Sequence, residues 1–196
     1  TYGMPIRPLR AKINLTNRTM WTSGLELING DENDSQVLRN TIEGKLENRS
    51  KDIWDVSVGA RFTLNDVSYS LNEELNQSYI NKTFFGEVSW FPSETWELST
   101  GLNYRIYDQE VFGTNDNVAL WEASVSKMLM KQKAEIQLVA LDLLNQNVGV
   151  NFSNGSTYIQ EERIQTLGRY IMLKFVYHLS DIGNRGRGGD TIEIHR

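Results

Sequence analysis

The chain has no cysteine, two histidines and three prolines among 196 residues. Without thiols there is no disulfide framework and no thiolate to act as nucleophile or metal ligand. His178 and His195 are too few, and fall too late in the chain, for a histidine-based metal site. No G-x-S-x-G, phosphate loop or Ser-His-Asp grouping occurs, so the chain reads as no enzyme and as needing no cofactor. No apolar run approaches the ~18 residues of a transmembrane helix, and the residues from Thr1 do not read as a secretory leader. A net charge of -5, with Lys and Arg mostly dispersed, argues against a nucleic-acid partner.

What the chain does have is alternation. Over Gly168–Leu179, every second residue is large and apolar: Ile171, Leu173, Phe175, Tyr177 and Leu179. Period two over about a dozen residues is a strand signal, and it recurs through the sequence. Trp54, Val56, Val58, Ala60, Phe62 and Leu64 alternate with Asp55, Ser57, Gly59, Arg61, Thr63 and Asn65. The same holds for Ile80–Trp90, Trp96–Ile106, Ala119–Val125 and Ile136–Ala140. The phase blurs at Leu141–Leu144, where a bulge is expected. Length suits one domain of about eight antiparallel up-and-down strands over residues 9–180. Residues 1–8, with Pro5 and Pro8, read as a turn or linker, and 181–196 as a flexible Gly-rich tail.

The connections alternate in length. Asn48–Lys51, Pro92–Glu94 and Lys127–Lys133 are short. Asn29–Asp34, Glu73–Gln77, Asp108–Asn117 and Asn145–Gln165 are longer and more polar. Short turns at one end and longer loops at the other are the layout of an outer-membrane barrel. That layout puts the longer loops outside the cell, and the short turns and tail in the periplasm.

Alternation alone does not say whether the apolar face meets a soluble core or lipid, since a lipocalin-like barrel has the opposite sense. The aromatics favour lipid. Trp54, Trp90, Trp96 and Tyr177 share the apolar parity near the short-turn end, and Trp121 and Tyr104 share it toward the other. Two aromatic belts around an aliphatic band are the girdles of a membrane barrel. A mean hydropathy of -0.45 fits, because only one face of each strand meets lipid. The expected surroundings are therefore outer-membrane lipid and lipopolysaccharide.

The polar parity carries Arg39, Glu43, Glu47, Asp55, Arg61, Glu87, Glu97, Arg105, Glu122 and Lys174. These are candidates for a charged lumen that passes or selects a solute, or for cross-strand ion pairs that fill and solvate an interior. Asp31, Glu32, Asn33 and Asp34 offer oxygen ligands for calcium but lack EF-hand spacing, so a solvated turn is the simpler reading.

The ending Gln165–Leu179, the preceding Leu141–Gln146 (LDLLNQ), the Ser126–Lys131 turn and the Leu27–Gly30 loop resemble, in order and over essentially the whole chain, the outer-membrane β-barrel family related to TonB-dependent transporters. These motifs mark barrel segments and are not chemical signatures. The resemblance implies a longer protein with a plug domain, of which this chain is the C-terminal part of the barrel wall, and hence a role in solute uptake. The alternative is an accessory barrel subunit that works with other outer-membrane or surface lipoprotein subunits. The Gly-rich tail after Leu179 departs from family members that end on a terminal aromatic.

Overall fold

The computed structural model describes residues 1–28, 30–48, 50, 52–73, 76–108, 117–147, 150–154, 159–163 and 167–177. Alternating sequence becomes alternating exposure. The strands are β1 (Tyr2–Ile6), β2 (Ala11–Ile28), β3 (Asp31–Asn48), β4 (Trp54–Tyr69), β5 (Gln77–Ser93), β6 (Trp96–Ile106), β7 (Val118–Leu129), β8 (Ala134–Leu141), β9 (Val150–Asn154), β10 (Ile159–Arg163) and β11 (Tyr170–Tyr177). Nine form one antiparallel sheet in the order β1-β2-β3-β4-β5-β6-β7-β8-β11, and β9 and β10 pair as a separate hairpin. The all-β, up-and-down architecture is as the sequence implies. Eight antiparallel steps separate β1 from β11, so the two edge strands run in the same direction, and among the described residues no ladder joins them.

Several boundaries depart from the sequence reading. Residues 1–8 are no linker: Tyr2–Ile6 pairs with Ala11–Leu15 through a 3-10 turn at Arg7–Leu9. Pro5 is tolerated because β1 is an edge strand. The polar stretch Asn29–Asp34 is not a long loop either. Pairing runs to Ile28↔Asp31, and Gly30 (φ 96°) supplies the positive φ of the turn. Lys127–Leu129 belong to β7, and the turn is confined to residues 130–133, with Met130, Lys131 and Gln132 all left-handed. The long connection Asn145–Gln165 contains the β9–β10 hairpin. Residues 109–116 and 178–196, including both histidines and the expected tail, lie outside the described residues.

The ladder is staggered. The row Val56–Val88–Thr100–Ala123–Ala140–Ile171 lies two residues from the short-turn end of β4 but six from that of β11. That is roughly one residue per strand. With ~3.3 Å per residue and ~4.8 Å between strands, it tilts the strands by about 30°. Stagger of this kind is what closing a sheet into a barrel requires.

Candidate functional site: the two faces of the sheet

Expected lipid-facing residues do share one face, and they are exposed: Val58 by 51%, Leu102 by 45% and Leu173 by 70%. An exposed, continuous apolar face is foreign to a soluble sandwich or lipocalin, which hides that face in its core. The aromatics flank it. Trp54 and Trp90 are cross-strand partners with stacked rings, centroids 5.5 Å apart. Beside them, Lys127 Nζ lies 4.7 Å from the centroid of Trp96, a cation–π contact. Tyr177 is opposite Ala134, next to the short turn. Nearer the loop end, Trp121 is opposite Leu102, and its indole N–H donates to Thr100 Oγ1 at 2.8 Å.

Beyond the apolar band, the two faces exchange character. Past Leu38, Leu64 and Ile80 the same parity turns polar, with Asp34, Gln36, Asp66, Ser68 and Ser78. The opposite face there is buried, with Val37, Asn65, Val67 and Tyr79. β2 and β3, at 18 residues each, are longer than the ~9–11 that span hydrocarbon. The exchange marks where the ladder outruns the apolar band.

All ten charged candidates sit on the face opposite the apolar one, where the register brings some of them together. Arg61 donates through Nε (2.7 Å) and its terminal NH2 (2.6 Å) to the same Glu43 oxygen, Oε2, and its guanidinium carbon is 5.9 Å from the ring centroid of Phe85. Arg39 Nε donates to Asn65 Oδ1 at 2.9 Å. Glu47 faces Lys12 at 3.7 Å and Lys45 at 3.5 Å and accepts from Asn14 at 3.1 Å. Glu87 and Glu122 lie in one row on either side of Gly101. With no side chain there, the Glu122 carboxylate folds to 3.3 Å from where a Cβ would stand. Arg105 lies opposite Thr83, Glu97 opposite Ser126, and Lys174 opposite Gln137, one strand beyond Ser126. The wall is thus a set of local pairs and small residues, such as Ser99 and Ser124 with hydroxyls 2.7 Å apart.

One stretch assigned only as a blurred strand end is a built junction. Asp142 adopts φ 51° and is buried, and its two carboxylate oxygens accept from the Gln146 and Asn147 N–H groups at 2.9 and 3.0 Å. Gln146 Oε1 then accepts from Ala119 N–H in β7, and Asn145 Oδ1 from Arg169 N–H ahead of β11. Leu143 N–H still donates to Trp121 O at 2.8 Å. By the ladder register Asp142 would stand opposite Trp121, so the chain is shifted by one residue where β8 ends at Leu141.

The acidic stretch Asp31–Asp34 forms part of the β3 ladder and cannot wrap a cation: Asn33 is buried, and its Oδ1 accepts from Leu71 N–H at 3.2 Å. Among the described residues no group of three or more His, Cys, Asp or Glu could hold a metal ion.

A staggered, all-antiparallel meander with an exposed apolar face, girdled by aromatics and backed by a polar face, defines an outer-membrane β-barrel protein. The chain belongs to the outer membrane protein beta-barrel family, whose model matches residues 18–177. No curated protein and no solved structure matches it.

Proposed function

We propose that this sheet is one section of the wall of a wide, TonB-dependent-transporter-like barrel that passes a solute across the outer membrane. The observation that carries the proposal is the combination of a polar, charged face with two sheet edges, β1 and β11, that no ladder joins among the described residues. Exposed main-chain donors and acceptors are not tolerated in hydrocarbon, so both edges must be paired in the membrane. Because β1 and β11 run in the same direction, joining them directly would need a parallel ladder. An all-antiparallel wall needs an odd number of further strands between them, which makes the total even, as in bacterial outer-membrane barrels.

Small residues on the polar face, Ser57, Gly59, Ser99, Gly101, Ser124 and Ser126, underfill a narrow barrel and suit a wide, wet or plugged one. Glu43, Arg61, Glu87, Glu97, Arg105, Glu122, Arg39 and Lys174 then line the lumen. The alternative is an accessory barrel subunit bound to other outer-membrane or lipoprotein subunits.

The chain has no cysteine, so single-cysteine labelling with a membrane-impermeant thiol reagent is a clean test. Cysteine at Ser99 or Ser124 should label from water, and cysteine at Leu102 or Val58 should not. Protection at Ser99 and Ser124 would sink the wet lumen. Solute uptake that stops when the proton-motive force is collapsed favours the transporter; uptake unchanged by deleting the protein favours the accessory subunit.

A further inference from the structure

The apolar face of β4, β5 and β6 carries one charge, at its loop-end edge, one outward step beyond the row of Tyr104. Following the outward parity gives Trp54 to Leu64 in β4, Ile80 to Trp90 in β5 and Trp96 to Ile106 in β6. Lys82 is the single ionised residue among them. It is exposed, lies opposite Phe62 on one side and Ile106 on the other, and has Ile80 and Phe84 two residues away along its own strand. Among the described residues no carboxylate pairs with it. Burying an unpaired ammonium in hydrocarbon is costly, so a lysine at this position must reach its counter-charge at the membrane surface.

A second polar feature lies on the same face. Asn17 and Thr19 of β2 and Asn40 of β3 close a ring of hydrogen bonds: Asn17 Nδ2 donates to Asn40 Oδ1 at 3.3 Å, Asn40 Nδ2 to Thr19 Oγ1 at 2.6 Å, and Thr19 Oγ1 to Asn17 Oδ1 at 3.5 Å. Each amide keeps an N–H free of the ring. Asn17 shares the row Asn17–Ile42–Phe62–Lys82–Ile106 with Lys82. Tilt lifts Lys82 above Asn17 by two to three residues, and Thr19 and Asn40 stand two residues above Asn17 in the ladder. The ring and Lys82 are therefore level, two to three strand spacings or about 10–14 Å apart along the sheet, with the exposed side chains of Ile42 and Phe62 between them.

A phosphate partner for Lys82, hydrogen-bonding partners for the amides and an apolar floor beneath are the features of one ligand class. We infer that this ledge binds the phosphorylated sugar headgroup of a glycolipid of the outer leaflet, with Lys82 on a phosphate, the Asn17–Thr19–Asn40 ring on sugar hydroxyl or acyl-amide groups, and Ile42 and Phe62 against the acyl chains. A phospholipid supplies the phosphate but lacks a headgroup broad enough to engage the ring as well. The inference rests on the proposed orientation, in which the loop end faces the outer leaflet.

The test is lipid retention by the purified complete barrel, with all its strands, in phosphatidylethanolamine nanodiscs, read by native mass spectrometry. Added lipids are bisphosphorylated lipid A, the same lipid stripped of phosphate, and phosphatidylglycerol. The wild type should retain bisphosphorylated lipid A in preference to the other two. Lys82→Gln should weaken that retention about tenfold, the size of one charge-assisted contact, and Lys82→Arg should restore it. Asn17→Ala with Asn40→Ala should weaken it without changing phosphatidylglycerol retention, and Lys127→Gln at the other girdle should leave it unchanged. Equal retention of the three lipids, or of lipid A by Lys82→Gln, would overturn the ledge. Retention in nanodiscs does not depend on orientation in the cell, so failure of the orientation would appear in protease accessibility alone.

Discussion

The outer edge of the Phe85 ring, Cζ and Cε2, reaches over Gly59, its cross-strand partner, on the charged face of the sheet. A Cβ at Gly59 would run into that ring and stand 2.6 Å from the Gly44 carbonyl oxygen of β3. The ring could swing aside; the backbone carbonyl cannot. Overpacking of this kind costs about 1–3 kcal/mol, so Gly59→Ala should destabilise by about that much in reversible unfolding from lipid vesicles. Gly86 is the control, because a Cβ there meets nothing closer than Ser57 O at 3.7 Å. Equal costs for Gly59→Ala and Gly86→Ala would mean the Phe85–Gly59 contact is not a constraint.

Asp142 holds the junction between β7, β8 and β11 by accepting two backbone N–H groups while buried. Asp142→Ala removes the acceptor of both N–H groups, which lie at an exposed and a half-buried residue, so the loss is about 1 kcal/mol for each hydrogen bond. The expected result is lower stability and faster proteolysis at residues 143–147. Asp142→Asn keeps one acceptor and should fall between. Wild-type stability for Asp142→Ala would show that water replaces the carboxylate freely.

How far this could be read from the sequence differs between elements. The apolar face was legible wherever strict alternation persisted, because the side-chain period of a strand is two and one face meets one solvent. Pro5 and Pro8 obscure the signal of β1; an edge strand needs only half its N–H groups. The upper half of the β2–β3 hairpin reads as a loop, because a strand that is polar on its outward face resembles one in sequence. The charged candidates were placed on one face by parity, but that Arg61 meets Glu43 while Glu87 and Glu122 flank Gly101 depends on inter-strand register, which alternation does not encode. Lys82 was visible in the apolar parity, yet its significance lies in the charge-free strands beside it.

Val58 and Leu102 stand on the exposed face between the girdles. Replacing either by Arg should cost about 2–4 kcal/mol in vesicle unfolding if it lies at the midplane, whereas Arg at Ser68, beyond the band, should cost little. The depth dependence separates lipid from an aqueous or protein-covered face, where the three sites would not rank this way. A cost near zero at both Val58 and Leu102 would remove the lipid-facing assignment.

The asymmetry of the connections supports the proposed orientation, loops outward. The β7–β8 turn is confined to Met130–Lys133, with three consecutive residues in the left-handed region, and leaves little chain for a protease to bind. The Asn145–Gln165 connection is the longest and carries Arg163. Extended connections of outer-membrane barrels face the outside, and short turns the periplasm. Trypsin added to intact cells should therefore cut after Arg163 and spare Lys131, Lys133, Arg185 and Arg187, while permeabilised cells should lose the tail at Arg185 or Arg187 first. Tail cleavage in intact cells with Arg163 protected would invert the assignment. That outcome would place Lys82 and the Asn17–Thr19–Asn40 ring at the inner leaflet, and Trp54, Trp90, Trp96 and Lys127 at the cell surface.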